Sequence, residues 1–416
     1  MLSKVVFAAL LGLLVIAAIP YGTVEPWWKA AFVCAVFAIC ILAIIDRLVI
    51  EKVPIVLPML ALSAFAFLQT LSLSGSQQVA GVTVLNTISA DPFQTRFFAL
   101  QMLSLTAWLA LLYRYASTEH RIRVLVYTIL AIAVVSAIFG ILRQATQHQT
   151  GFVLPLLRQG QGYGQFVNKN HFAYLMEMAF GLGIGLAIGK RERLLMYFAL
   201  LLPIWTALVL SNSRGGILAM LVQIVSAALL LSSRSPTVLK AMLVVVLVAG
   251  VLFGTLWVGG DKLASNFENA TRELSPGEAA GVSRNEIWRA TLKMFAAHPI
   301  DGVGLGGYWI GITAYHDASG LMTPQEAHND YLELLSSGGL IGFAIGAWFA
   351  LVVIREARRN FLLDRSYLRL GAILGITGVA AHSLVDFGLH ILINAIVFLA
   401  LIMIATNRSN NAYAIR

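Results

Sequence analysis

The sequence predicts an all-α fold, a polytopic membrane helical bundle of about 12 transmembrane helices with one long outer loop that carries short helices. Composition is the first observation behind this prediction. Hydrophobic residues form 59% and charged residues 12% of the 416-residue chain, and its mean hydropathy is +0.81, whereas soluble domains are about 25% charged. The second observation is that apolar runs of roughly 16 to 22 residues, enough to cross a ~30 Å hydrocarbon core, recur along the chain.

The apolar runs divide the chain into three parts. We expect spans one to nine in residues 1–257, a large outer loop in 258–338, and spans ten to twelve with a tail in 339–416. The first run follows Lys4, as in a signal peptide, but it leads into further spans and is interpreted as a helix. In order, the predicted spans are residues 4–20, 28–46, 53–72, 97–114, 122–143, 171–189, 194–211, 215–232, 239–257, 339–355, 368–386 and 389–406.

Charge and cysteine content exclude two further interpretations. The net charge of +9 does not indicate a nucleic-acid partner, because Lys and Arg are scattered through short loops and form no basic stripe. The two cysteines, Cys34 and Cys40, lie in one apolar run. A spacing of six places them about 240° apart around a helix, so we expect both to be free.

The distribution of Lys and Arg predicts the orientation of the bundle. If the N-terminus is cytoplasmic, eighteen of the 29 basic residues fall on the cytoplasmic side, and seven of the other eleven fall in two long outer segments, 144–170 and 258–338. Long loops cross the membrane largely regardless of charge, so the short loops carry the orientation signal. We therefore expect cytoplasmic termini and a large loop facing outward, which for a bacterial inner membrane means the periplasm.

Four polar clusters fall on the outer side in this topology. Ionisable groups near membrane depth are functional candidates by default, and the alternative for any single cluster is a solvated loop. Their convergence on one face predicts an outward-facing site at the membrane surface. The clusters are residues 168–171, which include Asn170 and His171, residues 211–216, residues 382–386 and the long loop, 258–338.

Three arginines are candidate ligands for a diphosphate. Arg214 lies in a tight link before two glycines, where backbone amides are close. The alternative for Arg214 is an anchor whose charged end reaches the lipid head groups. Arg284 and Arg289 lie in the long loop. Because a guanidinium binds oxyanions through two parallel hydrogen bonds, the three together could clamp a diphosphate.

Residues 283–297 are predicted to form a short helix in the membrane interface. An apolar stripe with Trp288 as its anchor is formed by Ile287, Trp288, Leu292 and Phe295. Arg289 and Lys293 carry like charge four residues apart, which is unfavourable in an isolated helix. Their pairing is more sensible if an anion lies between them.

His328 is the predicted general base. It precedes Asn329, Asp330 and an apolar helical run. A neutral imidazole can take a proton from a sugar or lipid hydroxyl, and Asp330 or Glu326 could orient it. Two alternatives compete. His328 could precede a helix capped by Asn329 or Asp330, or it could bind a metal with Glu326, Asp330 or Glu333.

At these residues the sequence resembles the O-antigen ligase and O-antigen polymerase superfamily, over roughly residues 160–405. Each motif is weak alone, but their joint order and topology are fairly specific. The motifs are Asn168-x-Asn170-His171-Phe172-Ala173, Ser211-x-Ser213-Arg214-Gly215-Gly216, Arg284-x-x-x-Trp288, His298-Pro299-x-x-Gly302-x-Gly304 and His328-Asn329-x-Tyr331-Leu332.

The resemblance implies a membrane-embedded GT-C-like glycosyltransferase that inverts the anomeric centre and needs no metal or other cofactor. Its implied donor is a glycan linked to undecaprenyl diphosphate. The resemblance also implies that Arg214 and Arg284 bind the diphosphate and that His328 activates the acceptor, whereas the role of Arg289 rests on charge and position. With His328 as the catalytic residue, the predicted substrate-binding residues are Arg214, Arg284, Arg289, Asn170, His171, Asn329, Asp330 and Tyr331.

The function that this resemblance favours is that of an O-antigen ligase of lipopolysaccharide biosynthesis. Such an enzyme moves glycan to a lipid A-core acceptor among membrane lipids, without nucleic acid. The alternative within the superfamily is a polymerase, whose acceptor is another carrier-linked repeat. A transporter of lipid-linked glycans is the alternative from another class, but it should place charges at the bilayer midplane and show paired broken helices. Here the charges collect at one face.

Overall fold

The apolar runs form helices, because a segment in lipid must satisfy every backbone polar group internally. The computed structural model describes residues 2–46, 53–79, 82–116, 118–146, 150–151, 154–158, 162–231, 284–316 and 324–407. Within these residues the helices are α1 (Leu2–Ala18), α2 (Pro26–Ile45), α3 (Val56–Gln69), α4 (Pro92–Tyr115), α5 (Glu119–Ala145), α6 (Lys169–Gly189), α7 (Leu194–Leu210), α8 (Arg214–Leu231), α9 (Arg284–Ala297), α10 (Tyr308–Gly311), α11 (Asp330–Asp364), α12 (Tyr367–His382) and α13 (Leu392–Thr406).

The all-α prediction is confirmed in the described part of the chain. Eleven of the predicted spans overlap one of these helices, while the ninth, residues 239–257, and loop residues 258–283 lie outside the described residues. Five helices, α2, α4, α5, α6 and α11, are long and apolar enough to cross a membrane. The chain is therefore a helical bundle of the multi-pass membrane type, and a total of twelve spans stays a prediction. Cys34 and Cys40 are both free, as expected.

Two β-hairpins lie in segments that were predicted only as loops. Strands β1 (Ser72–Val79) and β2 (Val82–Thr87) pair antiparallel between α3 and α4. Strands β3 (Thr150–Gly151) and β4 (Leu154–Arg158) pair in the same way between α5 and α6. Both hairpins fall on the side of the bundle that the charge pattern predicts to be outer. They add a small strand content that the apolar runs do not indicate.

Helices α6 and α12 pack closely at the centre of the bundle. Every residue of α6 from 171 to 188 is buried. A Cβ atom on Gly181 would lie 2.5 Å from the backbone nitrogen of Gly375, and one on Gly185 would lie 2.7 Å from the Cα of Gly371. Small residues allow helix backbones in membranes to approach this closely. This contact fixes the N-terminus of α6 and the C-terminus of α12, both of which carry polar residues, relative to each other.

Helix α11 contains a break at the predicted boundary between the long loop and the tenth span. Gly339 has φ 60° and ψ −163°, a conformation that side chains rarely allow. The chain that follows α9 fills the break, since the N–H of Leu340 donates to the carbonyl of Pro299 at 2.8 Å. A Cβ on Gly339 would lie 2.3 Å from the carbonyl oxygen of Ile300. The break therefore sets α9 against the first part of α11.

Candidate active site

The link between α12 and α13 carries a buried aspartate where the polar clusters meet. Helix α12 ends at His382, and the chain turns immediately, with the N–H of Asp386 donating to the carbonyl of His382 at 3.1 Å. The Oδ1 atom of Asp386 accepts from the N–H of Phe387 at 2.8 Å. The side chain is only 1% exposed. The eleventh span was predicted to continue to residue 386, but Asp386 lies in the loop that follows the helix.

Asp386 contacts residues of two other clusters, namely residues 168–171 and the long loop. Its Oδ2 atom accepts a hydrogen bond from the side-chain amide of Asn170 and lies 3.5 Å from the guanidinium of Arg284. Its Oδ1 atom lies 3.9 Å from Nδ1 of His328. Two of the predicted binding residues and the predicted base therefore meet at one carboxylate.

The carboxylate of Asp386 is held in its ionised form. Burial alone would raise its pKa, but the interaction with His328 and the nearby His171 ring outweigh burial and lower the pKa to about 2. A permanent negative charge next to Nδ1 of His328 favours a proton on that nitrogen. The exposed third of the His328 side chain belongs to its other atoms, because Nδ1 is buried.

Arg214 is connected to the same centre through a chain of hydrogen bonds. The side chain of Asn168 caps α6 by accepting from the N–H of Asn170 at 2.9 Å. The hydroxyl of Ser213 donates to the side-chain oxygen of Asn170 at 2.9 Å. Arg214 is the next residue, the first of α8, and is exposed. The start of α8 is therefore fixed to the residue that holds Asp386.

A buried ionisable pair also fixes the start of α8. Nδ1 of His382 lies 2.9 Å from Oε2 of Glu177, and both side chains are fully buried. The His382 ring stacks on Tyr174 with centroids 4.1 Å apart. A Cβ on Gly215 would lie 2.4 Å from Nε2 of His382, so only a glycine permits this approach. Through these contacts, His382 of α12 packs against both α6 and the start of α8.

Helix α9, whose first described residue is Arg284, was predicted as an interfacial helix. The helix is confirmed, but its buried face combines Ile287 of the predicted stripe with Ala290, Thr291 and Met294. Leu292 is exposed. The indole N–H of Trp288 donates to the carbonyl of Ala327 at 3.0 Å, and its role as an anchor in the interface stays a prediction. Arg284 and Trp288, one turn apart, face Asp386 and the segment before His328.

Arg289 and Lys293 lie on another side of α9. Both are exposed. Five residues separate Arg289 from Arg284, which corresponds to about 140° around a helix. A clamp in which Arg289 and Arg284 point to the same group is therefore not supported by the helix geometry. An anion between Arg289 and Lys293 stays a prediction.

The segment around His328 is held in an unusual conformation. His328 has φ 51°, in the left-handed region, which costs energy for a residue with a side chain. On one side, both backbone groups of Ala327 are bound. Its N–H donates to Oε2 of Glu333 at 2.9 Å, and its carbonyl accepts from the indole N–H of Trp288. On the other side, Asn329 caps α11 by accepting from the N–H groups of Tyr331 and Leu332, both at 3.0 Å. The capping alternative is correct for Asn329.

Asn329, Asp330 and Tyr331 bind backbone groups of the α12 end. The Asn329 amide donates to the carbonyl of Leu384 at 2.9 Å, and the N–H of Asp330 donates to the carbonyl of Ser383 at 3.0 Å. The hydroxyl of Tyr331 donates to the carbonyl of Ala380 at 2.8 Å. These contacts attach the start of α11 to the loop that carries Asp386.

The predicted partners of His328 face a different histidine. Asp330 and Glu326 were expected to orient His328, but Asp330 lies 3.5 Å from Nε2 of His390 and Glu326 lies 3.3 Å from its Nδ1. Asp386 takes their place beside His328. The reason is geometric, because the left-handed turn at His328 directs its ring away from the side chains two residues before and after it.

Phe387 packs against three histidines in this region. Its ring centroid lies 4.8 Å from His171, 4.8 Å from His328 and 5.7 Å from His390, each in an edge-to-face arrangement. His171 is buried behind Phe387, so its predicted contact with substrate would need the ring to move. Sequence reasoning missed Phe387 and His390 and gave Asp386 no role. The sequence signal that could have found Asp386 and His390 is their position, since both are ionisable and lie at the outer ends of the predicted eleventh and twelfth spans.

One group of side chains in the described residues has the spacing of a metal site. The ligand atoms of Glu326, Glu333 and His390 all lie within 4.8 Å of one another. His328 was considered as a ligand alongside these carboxylates, but its ring faces Asp386. Both ring nitrogens of His390 face carboxylate oxygens, an arrangement that suits a doubly protonated imidazole better than a metal ligand.

The arrangement combines two arginines with a candidate base. Arg214 is the first residue of α8, and helix N-termini favour anions through their free N–H groups and dipole. Arg284 and His328 both lie next to Asp386. Such a site can stabilise negative charge on a leaving group while it accepts a proton from a nucleophile.

Comparison with known families connects this geometry to a class of enzyme. Residues 197–347 match a family model described as O-antigen ligase, whose members are glycosyltransferase-like enzymes. The matched range contains Arg214, Arg284 and His328 but neither Asn170 nor Asp386. No match was found among curated proteins. The family match confirms the resemblance to the ligase and polymerase superfamily.

Proposed function

We propose that this chain, whose residues 197–347 match the O-antigen ligase family model, has the function of an O-antigen ligase. In this proposal the protein is an inverting, metal-independent glycosyltransferase of lipopolysaccharide biosynthesis. It moves a glycan from undecaprenyl diphosphate to a lipid A-core acceptor.

The observation that carries the proposal is the set of contacts at Asp386. This carboxylate joins Arg284 to His328, and through Asn170 and Ser213 it reaches the helix start that carries Arg214. A phosphate-binding group and a base are therefore held at one place by a common partner. Both are needed for displacement of a lipid diphosphate by a hydroxyl.

The reaction follows from these positions as a single displacement. His328 takes the proton from the acceptor hydroxyl as its oxygen forms a bond to the anomeric carbon. The bond from that carbon to the diphosphate breaks on the opposite face, and its electron pair stays on the departing lipid diphosphate. Arg214 and Arg284 stabilise the charge that develops there. Attack from the face opposite the leaving group inverts the anomeric centre.

Asp386 has a supporting role in this reaction. Its charge lies beside Nδ1 of His328 and favours the tautomer with the proton on that nitrogen. The other nitrogen is then free to accept the acceptor proton. After the transfer, the same carboxylate stabilises the imidazolium that has formed.

The proposed location is the bacterial inner membrane. Both termini face the cytoplasm, the loop 258–338 is periplasmic, and the substrates reach the site from the surrounding lipid. Two observations support this orientation, namely the excess of Lys and Arg in short loops on the side of the termini and the grouping of Arg284, His328 and Asp386 at one end of the bundle.

Complementation separates a ligase from a polymerase. Expressed in a ligase-deficient strain, the protein is expected to restore long glycan attached to lipid A-core. Expressed in a polymerase-deficient strain, it is expected to leave glycan length unchanged. Lipopolysaccharide length and attachment on gels provide the measurement, with His328→Ala as the inactive control. Restored length in the polymerase-deficient strain alone would identify a polymerase, and no restoration in either strain by membrane-inserted protein would contradict the proposal.

A further inference from the structure

His390 lies among three carboxylates beside the proposed base. It belongs to a short 3₁₀ turn, Gly388–His390, between α12 and α13. Its Nδ1 atom lies 3.3 Å from Glu326, and its Nε2 atom lies 3.5 Å from Asp330 and 3.7 Å from Glu333. A neutral imidazole has only one N–H, so one of its nitrogens would direct a lone pair at a carboxylate oxygen. The charged imidazolium satisfies both sides.

The three carboxylates come from residues on both sides of His328 in the sequence. Glu326 lies two residues before it and Asp330 two residues after it, so His390 bridges the segment across the base. Glu333 faces His390 with one oxygen and accepts from the N–H of Ala327 with the other, at 2.9 Å. The left-handed backbone of His328 persists only if its surroundings hold it on both sides. His390 supplies one charge that contacts both sides.

The charges of His390 and Glu326 agree with the geometry. Burial alone would lower the pKa of His390, but Glu333, Glu326 and Asp330 outweigh burial and raise it to about 10. Burial would raise the pKa of Glu326, but His390 outweighs burial and lowers it to about 2. Lys29 of α2 adds positive charge near Glu326. With a pKa of about 10, His390 carries its positive charge at neutral pH.

We propose that His390 is a positioning residue for the transfer reaction, a permanent cation that holds Glu326, Asp330 and Glu333 and thereby places His328 against Asp386. The inference rests on the proposed function, because it takes His328 as the base. Without the cation, the ionised Glu326 carboxylate loses its counter-charge, and no side chain joins Glu326 to Asp330 across His328. The segment then opens and moves the base away from the acceptor hydroxyl.

The test measures kcat and KM of transfer for full-length variants reconstituted in lipid vesicles. His390→Gln removes the charge and is expected to lower kcat by about 100-fold, the cost of a displacement near 1 Å at a reacting group. The KM for the lipid-diphosphate donor is expected to stay close to that of the wild type, because Arg214 and Arg284 are unchanged. His120→Gln, which replaces an exposed histidine at the start of α5, serves as the control and should transfer at the wild-type rate.

Two further variants separate charge from packing. His390→Lys restores a cation and is expected to recover much of the lost kcat. The double variant Glu326→Gln, His390→Gln removes the carboxylate whose charge His390 balances. It is expected to be faster than His390→Gln alone. Neither variant leaves Glu326 as an unbalanced charge, so both measurements remain possible if His390→Gln is too unstable to purify.

Several outcomes would overturn the inference. One is a wild-type kcat in His390→Gln, and another is failure of both the lysine and the double variant to improve on it. A third is wild-type transfer that is lost in EDTA, restored by Zn²⁺, and no longer stimulated by Zn²⁺ in His390→Gln, which would make the cluster a metal site. The first two outcomes leave the proposed function standing when the wild-type protein transfers glycan, whereas zinc-dependent transfer would also contradict its metal-independent mechanism. Absence of transfer by the wild type would overturn the proposed function itself.

Discussion

Replacing His328 with alanine is expected to abolish glycan transfer while leaving donor binding intact. Proton acceptance by a positioned base accelerates a reaction by about 100- to 10,000-fold, and His328→Ala removes this step. Arg214 and Arg284 remain in place, so the variant should still bind the lipid-diphosphate donor. Transfer rate and donor affinity, measured separately on purified protein, show whether the loss lies in the chemical step.

A second substitution and a control make the His328 result specific. His328→Asn keeps a residue type that tolerates left-handed backbone but cannot act as the base, so it should be folded and inactive. His298→Ala changes an exposed histidine of the same region and should transfer normally. If His328→Asn transferred at the wild-type rate, base catalysis at this residue would be wrong. An unstable but active alanine variant would reduce His328 to a structural role.

Removing either Arg214 or Arg284 is expected to slow transfer by two orders of magnitude or more. A preorganised positive group at a developing charge contributes roughly 3 kcal/mol or more to transition-state stabilisation. Arg214 also starts helix α8, whose N-terminal amides add to the positive potential. The measurement is the transfer rate of Arg214→Ala and Arg284→Ala with a lipid-diphosphate-linked glycan as donor.

Arg289→Ala is the matched control for the Arg284 variant. Arg289 lies on the same helix but is exposed and turned about 140° from Arg284, so its loss should have the smaller effect. Arg284→Lys tests whether the planar guanidinium matters, since lysine keeps the charge but loses the paired hydrogen bonds. Near wild-type rates in both alanine variants, with the protein folded, would show that these arginines do not bind the leaving group.

The helices were predictable because lipid imposes one simple requirement on a spanning segment. Long apolar runs must form helices to satisfy their backbone groups, and their length follows from bilayer thickness. The predicted end of the long loop, residue 338, lies next to the break at Gly339, but α11 already begins at Asp330. The β-hairpins were not predictable in this way, because their residues carry no comparable apolar run.

The members of the site were partly predictable and their pairing was not. Arg284 and His328 were recognised by residue type and by their place on the outer side, and the structure brings both to Asp386. The choice of Asp386 over Asp330 depends on a left-handed turn at His328 and on the end of α12. Neither feature has a periodic signal in the sequence.

Two residues illustrate why charge and spacing alone mislead. Trp288 is a residue type that is common at membrane interfaces. Its indole N–H donates to the carbonyl of Ala327, because α9 packs against the segment before His328. Arg289 has the charge of a phosphate ligand, yet helix geometry separates it from Arg284. In both cases the packing of α9 against remote segments decides the role, and sequence spacing records only position on the helix.

The stereochemistry of the product tests the central claim most directly. Purified wild-type protein, reconstituted in vesicles with EDTA, is supplied with a lipid-diphosphate-linked glycan of known anomeric configuration and a lipid A-core acceptor. The account predicts continued transfer in EDTA, release of one lipid diphosphate for each glycan transferred, and an inverted anomeric centre in the product by NMR. Retention of configuration, or transfer that requires an added divalent cation, would contradict a single displacement driven by His328 and the two arginines.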